Sequence, residues 1–180
     1  MNIHEYQAKR LLADFGVAVL KGGWSAEREV SLVSGAAVAQ ALKNVGFQVT
    51  EIDVQRDANA FLAQLNPMPD IVFNALHGRF GEDGCIQGLL NILGIPYTHS
   101  GVLASALAMD KPMAKRILRE VGITVADHQI LTREQLSDSF ISFKPYVIKP
   151  LNEGSSVGVR IINEDDNNSP TKNEWPYGNS

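Results

Sequence analysis

Three short runs rich in β-branched residues punctuate the first half of the chain: Val17-Ala18-Val19-Leu20, Gln48-Val49-Thr50-Glu51-Ile52 and Asp70-Ile71-Val72-Phe73-Asn74. Stretches of helical pattern separate them. A strand, a helix and a second strand at this spacing make a crossover, which sets the strands parallel. The alternation therefore predicts an α/β fold, a parallel sheet with crossover helices over roughly 30–45, 58–65 and an apolar helix ending at Gly94. Gly46 and Gly94 stand where helix C-termini are expected. Ahead of the first strand, Asn2 with Glu5 resembles a capping box, and Ile3, Leu11, Leu12 and Phe15 give the face of an amphipathic helix closed by Gly16. Further on, the pattern predicts a helix over about 103–121, an extended stretch at 124–131 and a helix near 133–136. Two more apolar runs, Tyr146-Val147-Ile148-Lys149 and Val159-Arg160-Ile161-Ile162, flank a small-residue turn and read as a hairpin. Residues 163–180, rich in Asn, Asp and Pro, read as polar loop.

Composition narrows the partners. The 180 residues carry a net charge of −4 with both signs interspersed, which argues against nucleic acid or an anionic membrane as main partner. Cys85 is the single cysteine, so no intramolecular disulfide forms and a reducing compartment fits. The N-terminus lacks a signal-peptide pattern, and no apolar run approaches the ~20 residues that span a bilayer. A cytoplasmic protein with no membrane partner is expected.

Three loops carry candidate chemistry. The first, Gly22-Gly23-Trp24-Ser25-Ala26-Glu27-Arg28-Glu29, joins a strand to a helix, where ligands bind in open α/β sheets. It lacks the full G-x-G-x-x-G spacing, and its acid at a helix start suits an amine better than a phosphate. The plainer alternative is that Glu27 and Glu29 favour the helix dipole. Trp24 either covers a ligand or packs against the sheet. The second loop, His77-Gly78-Arg79-Phe80-Gly81-Glu82-Asp83-Gly84, sets His77 directly after a strand. Asp83 is placed to cap the next helix, and Cys85 reads as a small hydrophobe buried in it. No second His or Cys stands at ligand spacing, so no metal site is expected. The third is the hairpin turn, Glu153-Gly154-Ser155-Ser156-Val157-Gly158, with Lys149 before it. Its N–H groups and hydroxyls can lie over phosphate oxygens while lysine supplies positive charge.

Taken in order, these segments, with Leu76-His77-Gly78, Pro96-Tyr97-Thr98 and Ser105-Ala106-Leu107-Ala108-Met109-Asp110-Lys111, closely resemble the D-alanine–D-alanine ligase family across about residues 17–162. The resemblance implies an ATP-grasp enzyme of peptidoglycan synthesis. ATP phosphorylates the carboxylate of one D-alanine, and the amine of a second attacks the acyl phosphate. It implies a Rossmann-like N-terminal substrate domain over 17–108 and the first part of an ATP-grasp domain over 109–162, followed by the polar tail 163–180. By position, Glu27 would hold the ammonium of the first D-alanine and His77 would lie beside that substrate. Lys111, Lys149, Glu153, Ser155 and Ser156 would bind ATP, with Ser155 also linking Glu27 to a tyrosine of the family. Pairing of two copies through the N-terminal domain is implied as well.

Two departures qualify these expectations. The family extends well beyond residue 180, and its magnesium ligands, an arginine and the tyrosine partner of Ser155 have no counterpart here. The resemblance therefore implies ATP and Mg²⁺ but assigns no metal ligand in this chain, and an inactive fragment is expected. Residues 1–16 instead resemble the start of the succinyl-CoA synthetase β subunit, a foreign helical extension. Residues 8–19 match 114–125 at six of twelve positions, a segment that leads into an ATP-grasp domain in both families. The competing reading is a non-catalytic α/β binding or dimerisation module derived from the ligase.

Overall fold

The computed structural model describes residues 12–136, 144–154, 156–166, 170–171 and 173–177. Two compact units divide the chain, one ending at Met109 and one starting at Asp110. The helix expected over residues 2–15 lies almost wholly outside the described residues.

The first unit is an α/β layer structure. Strand β1 (Gly16–Gly22) leads to helix α1 (Arg28–Val45), β2 (Gln48–Val54), α2 (Ala58–Gln64), β3 (Ile71–Asn74), α3 (Cys85–Leu93) and α4 (Val102–Met109). The three strands are parallel in the order β2-β1-β3, and a parallel bridge from Val72 to Tyr97 continues the sheet. Because β1 is central, both of its faces are buried, which explains its unbroken apolar run. Ala18 and Leu20 face a core with Ile52, Phe61, Val72 and Leu90. Val17 and Val19 face the opposite core with Ala39 and Ala75. Asp57 starts α2 by accepting the Ala60 N–H at 3.0 Å.

The second unit holds helix α5 (Lys111–Glu120), a 3₁₀ turn (Arg133–Gln135) and an antiparallel hairpin of β4 (Tyr146–Ile148) and β5 (Arg160–Ile162). Tyr146 pairs with Ile162 and Ile148 with Arg160. The polar tail contributes an aromatic anchor. Trp175 is 5% exposed, with the Tyr177 ring centred 5.2 Å away and the Arg160 guanidinium 6.0 Å above its face.

Three expectations are corrected. The helix over 103–121 is two helices, because Asp110 takes an extended conformation and accepts the Met113 N–H at 3.0 Å, with a proline in the first turn that follows. The short helix at 133–136 is a single 3₁₀ turn, closed by a capping box between Thr132 and Gln135. Cys85 is exposed rather than buried. It opens α3, whose buried side is formed by Ile86, Gln87 and Leu90.

Candidate functional site

The order β2-β1-β3 decides where a ligand can sit. From β1 the chain leaves to one side through α1, and after β2 and α2 it returns to the other side as β3. The loops leaving β1 and β3 therefore diverge at a topological switch point, which opens a crevice at the carboxyl ends of the strands. These are the loops that hold Glu27 and His77. Ser31, fully buried in the first turn of α1, ties them together. Its hydroxyl donates to the Ala75 carbonyl at 2.7 Å and accepts the Gly22 N–H at 2.9 Å.

Glu27 occupies the N-cap position of α1, yet its side chain caps nothing. One carboxylate oxygen, Oε2, is fully buried and has no hydrogen-bond partner among the described residues. It lies beside Gly78, where a Cβ would come within 3.0 Å of it. Ser25 braces the arrangement, donating to the His77 carbonyl at 2.7 Å and accepting the Glu27 N–H at 3.2 Å. Behind the loop, Arg28 makes a bidentate pair with Asp53, both contacts at 2.7 Å. That pairing lifts the Arg28 guanidinium above its usual range and lowers the Asp53 carboxyl, burial opposing both.

His77 sits at the rim with its side chain about one-third exposed. Ser34 Oγ lies 3.2 Å from His77 Nε2 and 3.3 Å from the Ser31 carbonyl, so this hydroxyl ties the imidazole to the first turns of α1. His77 Nδ1 lies 3.9 Å from Glu82 Oε1, while Glu82 Oε2 accepts the Gly78 N–H at 2.6 Å. Trp24 packs on Phe80 of the neighbouring loop, ring centres 4.9 Å apart, so it walls the crevice rather than packing on the sheet. Asp83 is not the N-cap of α3, which is Gly84, but its carboxylate accepts the first helical N–H, that of Cys85, at 3.1 Å.

In the second unit, Lys111 is half-buried. Its ammonium donates to the carbonyls of Leu151 at 2.9 Å and Glu153 at 2.6 Å. Two of its three protons are thus engaged, and one remains for an oxyanion. Burial pushes its pKa below the usual lysine range and the nearby charge of Lys149 adds to the shift, while Glu153 and Asp110 act against it. Lys111, Lys149 and Glu153 are therefore neighbours. Ser156 is exposed in the hairpin turn, its carbonyl accepting the Val159 N–H at 3.2 Å. Ser155 lies outside the described residues. Two lysines beside a turn fit a polyphosphate. No group of three or more His, Cys, Asp or Glu among the described residues could hold a metal ion.

Residues 58–100 match the sequence pattern of the family described as D-ala D-ala ligase N-terminus. Over 165 residues, 90% of this chain, the sequence is 58% identical to a D-alanine--D-alanine ligase of Parvibaculum lavamentivorans, of which it covers 53%. Over nine tenths of its length the chain is thus similar to D-alanine–D-alanine ligases. A ligase B of Mesorhizobium japonicum is 56% identical over 167 residues and is covered to 54%. The fold agrees with the crystal structure of a D-alanine--D-alanine ligase from Bacillus anthracis, at a TM-score of 0.67 and 35% identity over 84% of this chain and 50% of that one. The structure of the Bacillus anthracis ligase complexed with ATP gives 0.64 and 32%, over 84% and 51%. The chain spans about half the length of the ligases it matches. Relatives that carry ligase names do not favour a non-catalytic assembly module.

Sequence reasoning gave no role to Ser25, Ser31 or Ser34. The signal was present for the last two. They stand three positions apart on one helix face, directly after the candidate loop.

Proposed function

We propose that this chain forms the first-substrate pocket and the phosphate-side elements of a D-alanine–D-alanine ligase. One observation carries the reading. A buried carboxylate oxygen without a partner, at the switch point of an α/β sheet, is costly unless a cation or donor meets it. The ammonium of an amino acid is such a group, and the bare Cα of Gly78 keeps a side chain from crowding the oxygen. His77, held by Ser34, lines the same crevice and presents its imidazole to the substrate's carboxylate side. In the second unit, Lys111 and Lys149, with Glu153 and the hydroxyls of Ser155 and Ser156, would take the phosphates of ATP. ATP supplies the phosphoryl group that activates the carboxylate of the first D-alanine, and the amine of the second displaces inorganic phosphate to form the amide. Charge neutralisation and positioning dominate such transfers.

The reading extends to an Mg²⁺ requirement met by groups other than those described. It also extends to peptidoglycan precursor synthesis in the cytoplasm and to pairing of two copies through the first unit. It draws support from the ligase relatives and from the lack, among the described residues, of a helix long and apolar enough to cross a membrane.

Calorimetric titration of the 180-residue chain with D-alanine tests the pocket. Glu27→Gln is expected to weaken binding at least about tenfold, the scale of a hydrogen bond to a charged group. Equal affinity of the two proteins would sink the assignment. A fluorescent ATP analogue, titrated in parallel, should lose affinity in Lys149→Ala and keep it in Glu27→Gln.

A further inference from the structure

The loop after β3 departs from regular backbone at several positions. Gly78, Phe80 and Gly84 all have positive φ, and at +73° Phe80 is a non-glycine residue in the left-handed region. Such a backbone persists only where its surroundings over-determine it. What surrounds it is a buried polar cluster that no ligand role so far explains. The side-chain amides of Asn74, at the end of β3, and Gln87, in α3, are 4% and 0% exposed. Both converge on one acceptor, the Gly81 carbonyl, each donating at 2.8 Å. Asn74 Oδ1 in turn accepts the Leu76 N–H at 3.1 Å, so this side chain grips the loop on both sides of His77.

Each amide has a second N–H to place. The Asn74 amide nitrogen lies 3.5 Å and the Gln87 amide nitrogen 3.2 Å from Nδ1 of His99. The Gly81 carbonyl can only accept, so it fixes both amides with their nitrogens inward. Those nitrogens can only donate, so His99 Nδ1 has to accept. A backbone carbonyl thus sets, through two amides, the tautomer of an imidazole: Nδ1 bare, the proton on Nε2. Two amide donors and two acceptors close the cluster, and Gln87 Oε1 is the one atom left without a partner. Without His99 the two inner N–H groups would be buried and unmet, and the cheapest relief is for the amides to turn away from Gly81.

We infer that His99 is a positioning residue: through Asn74 and Gln87 it locks the Gly81 carbonyl, and so the loop that presents His77 and Gly78 to the carboxylate of Glu27. The lock is a property of the fold. Its service to a D-alanine pocket rests on the reading above.

The test uses nitrogen NMR and hydrogen exchange on the 180-residue chain. In the unsubstituted protein, His99 Nδ1 should resonate as an unprotonated, acceptor nitrogen. A protonated Nδ1 overturns the inference whatever the variants do. In His99→Leu the amides of Gly81 and Glu82, both of which donate to the Gly78 carbonyl, should exchange at least about tenfold faster, while those of β1 stay within about twofold. His99→Asn puts an acceptor oxygen at the same δ position and should restore most of the protection. Unchanged exchange in His99→Leu, or no rescue by His99→Asn, overturns the lock. D-alanine affinity separates the two readings. If the unsubstituted chain binds no D-alanine, the pocket assignment fails and the exchange data alone decide the role of His99. If it binds and His99→Leu relaxes the loop, affinity should fall severalfold with it.

Discussion

At Gly78 the backbone has φ +69°, and a Cβ would stand 3.0 Å from both Glu27 Oε2 and Ser25 Cβ. Space and conformation make the same demand, and the residue satisfies both by having no side chain. Gly78→Ala should destabilise the chain by about 1–2 kcal/mol, the scale of a strained left-handed residue. It should also abolish the proposed D-alanine binding, since the new methyl crowds the Glu27 carboxylate. Urea unfolding with calorimetry on the same sample checks both. Retention of binding at wild-type affinity would place the ammonium elsewhere. Glu27 shows what sequence can and cannot offer at this scale. An acid at a helix start is visible in the sequence, but two acids, Glu27 and Glu29, share that description. Only the burial of Glu27 Oε2, against the exposure of Glu29, separates the group proposed to hold an ammonium from one that serves the helix dipole.

Local chemistry governs the elements, and they were legible to that extent. The strands of the first unit and of the hairpin stand where β-branched runs place them, because those runs also match the burial that the sheet imposes. The division between α4 and α5 was missed for a physical reason. Apolar residues continue at helical spacing through 103–121, and periodicity averages over a one-residue interruption. The stop signal was nonetheless written there: Asp110 followed by Lys111 and Pro112 is a cap with proline in the first turn. Asp110→Ala should cost α5 about 1 kcal/mol. Because α5 begins at Lys111, the loss should also loosen the hold of that lysine on the Leu151 and Glu153 carbonyls. Thermal unfolding, together with affinity for the fluorescent nucleotide, reads both effects, and an unshifted midpoint would show the cap to be idle. The Asn74–Gln87–His99 cluster was beyond sequence altogether. Nothing local marks a glutamine in an apolar helix as fully buried, and its partners, Gly81 and His99, come from two separate loops.

For the first unit as a whole, the ties between layers include a salt-linked carboxylate. Glu51 on β2 accepts from Lys21 of β1 at 2.5 Å and from Lys43 of α1 at 2.6 Å. The hydrogen bonds from Lys21 and then Lys43 hold its carboxyl below the usual glutamate range, against burial. A group whose folded value is depressed contributes stability above its unfolded value, about 4.3. That contribution is lost as pH falls through the folded value. Urea midpoints should therefore hold steady from pH 7 to about 5 and decline below about 4.3, with a shallower decline in Glu51→Gln. An identical acid limb in that variant would remove Glu51 from the account.

Strand order has one more consequence. Glu27 and His77 stand fifty positions apart, and only the seating of β3 against β1 makes them neighbours. That seam is pinned at its far end by Asp70, whose carboxylate accepts the Gly16 N–H at 2.7 Å. At the crevice end the pin is the Ser31 hydroxyl. A molecule held by both loops spans the same seam and favours the seated strand over the detached one by mass action. A substrate bound as proposed would thus double as a fastener of the strands whose ends receive it.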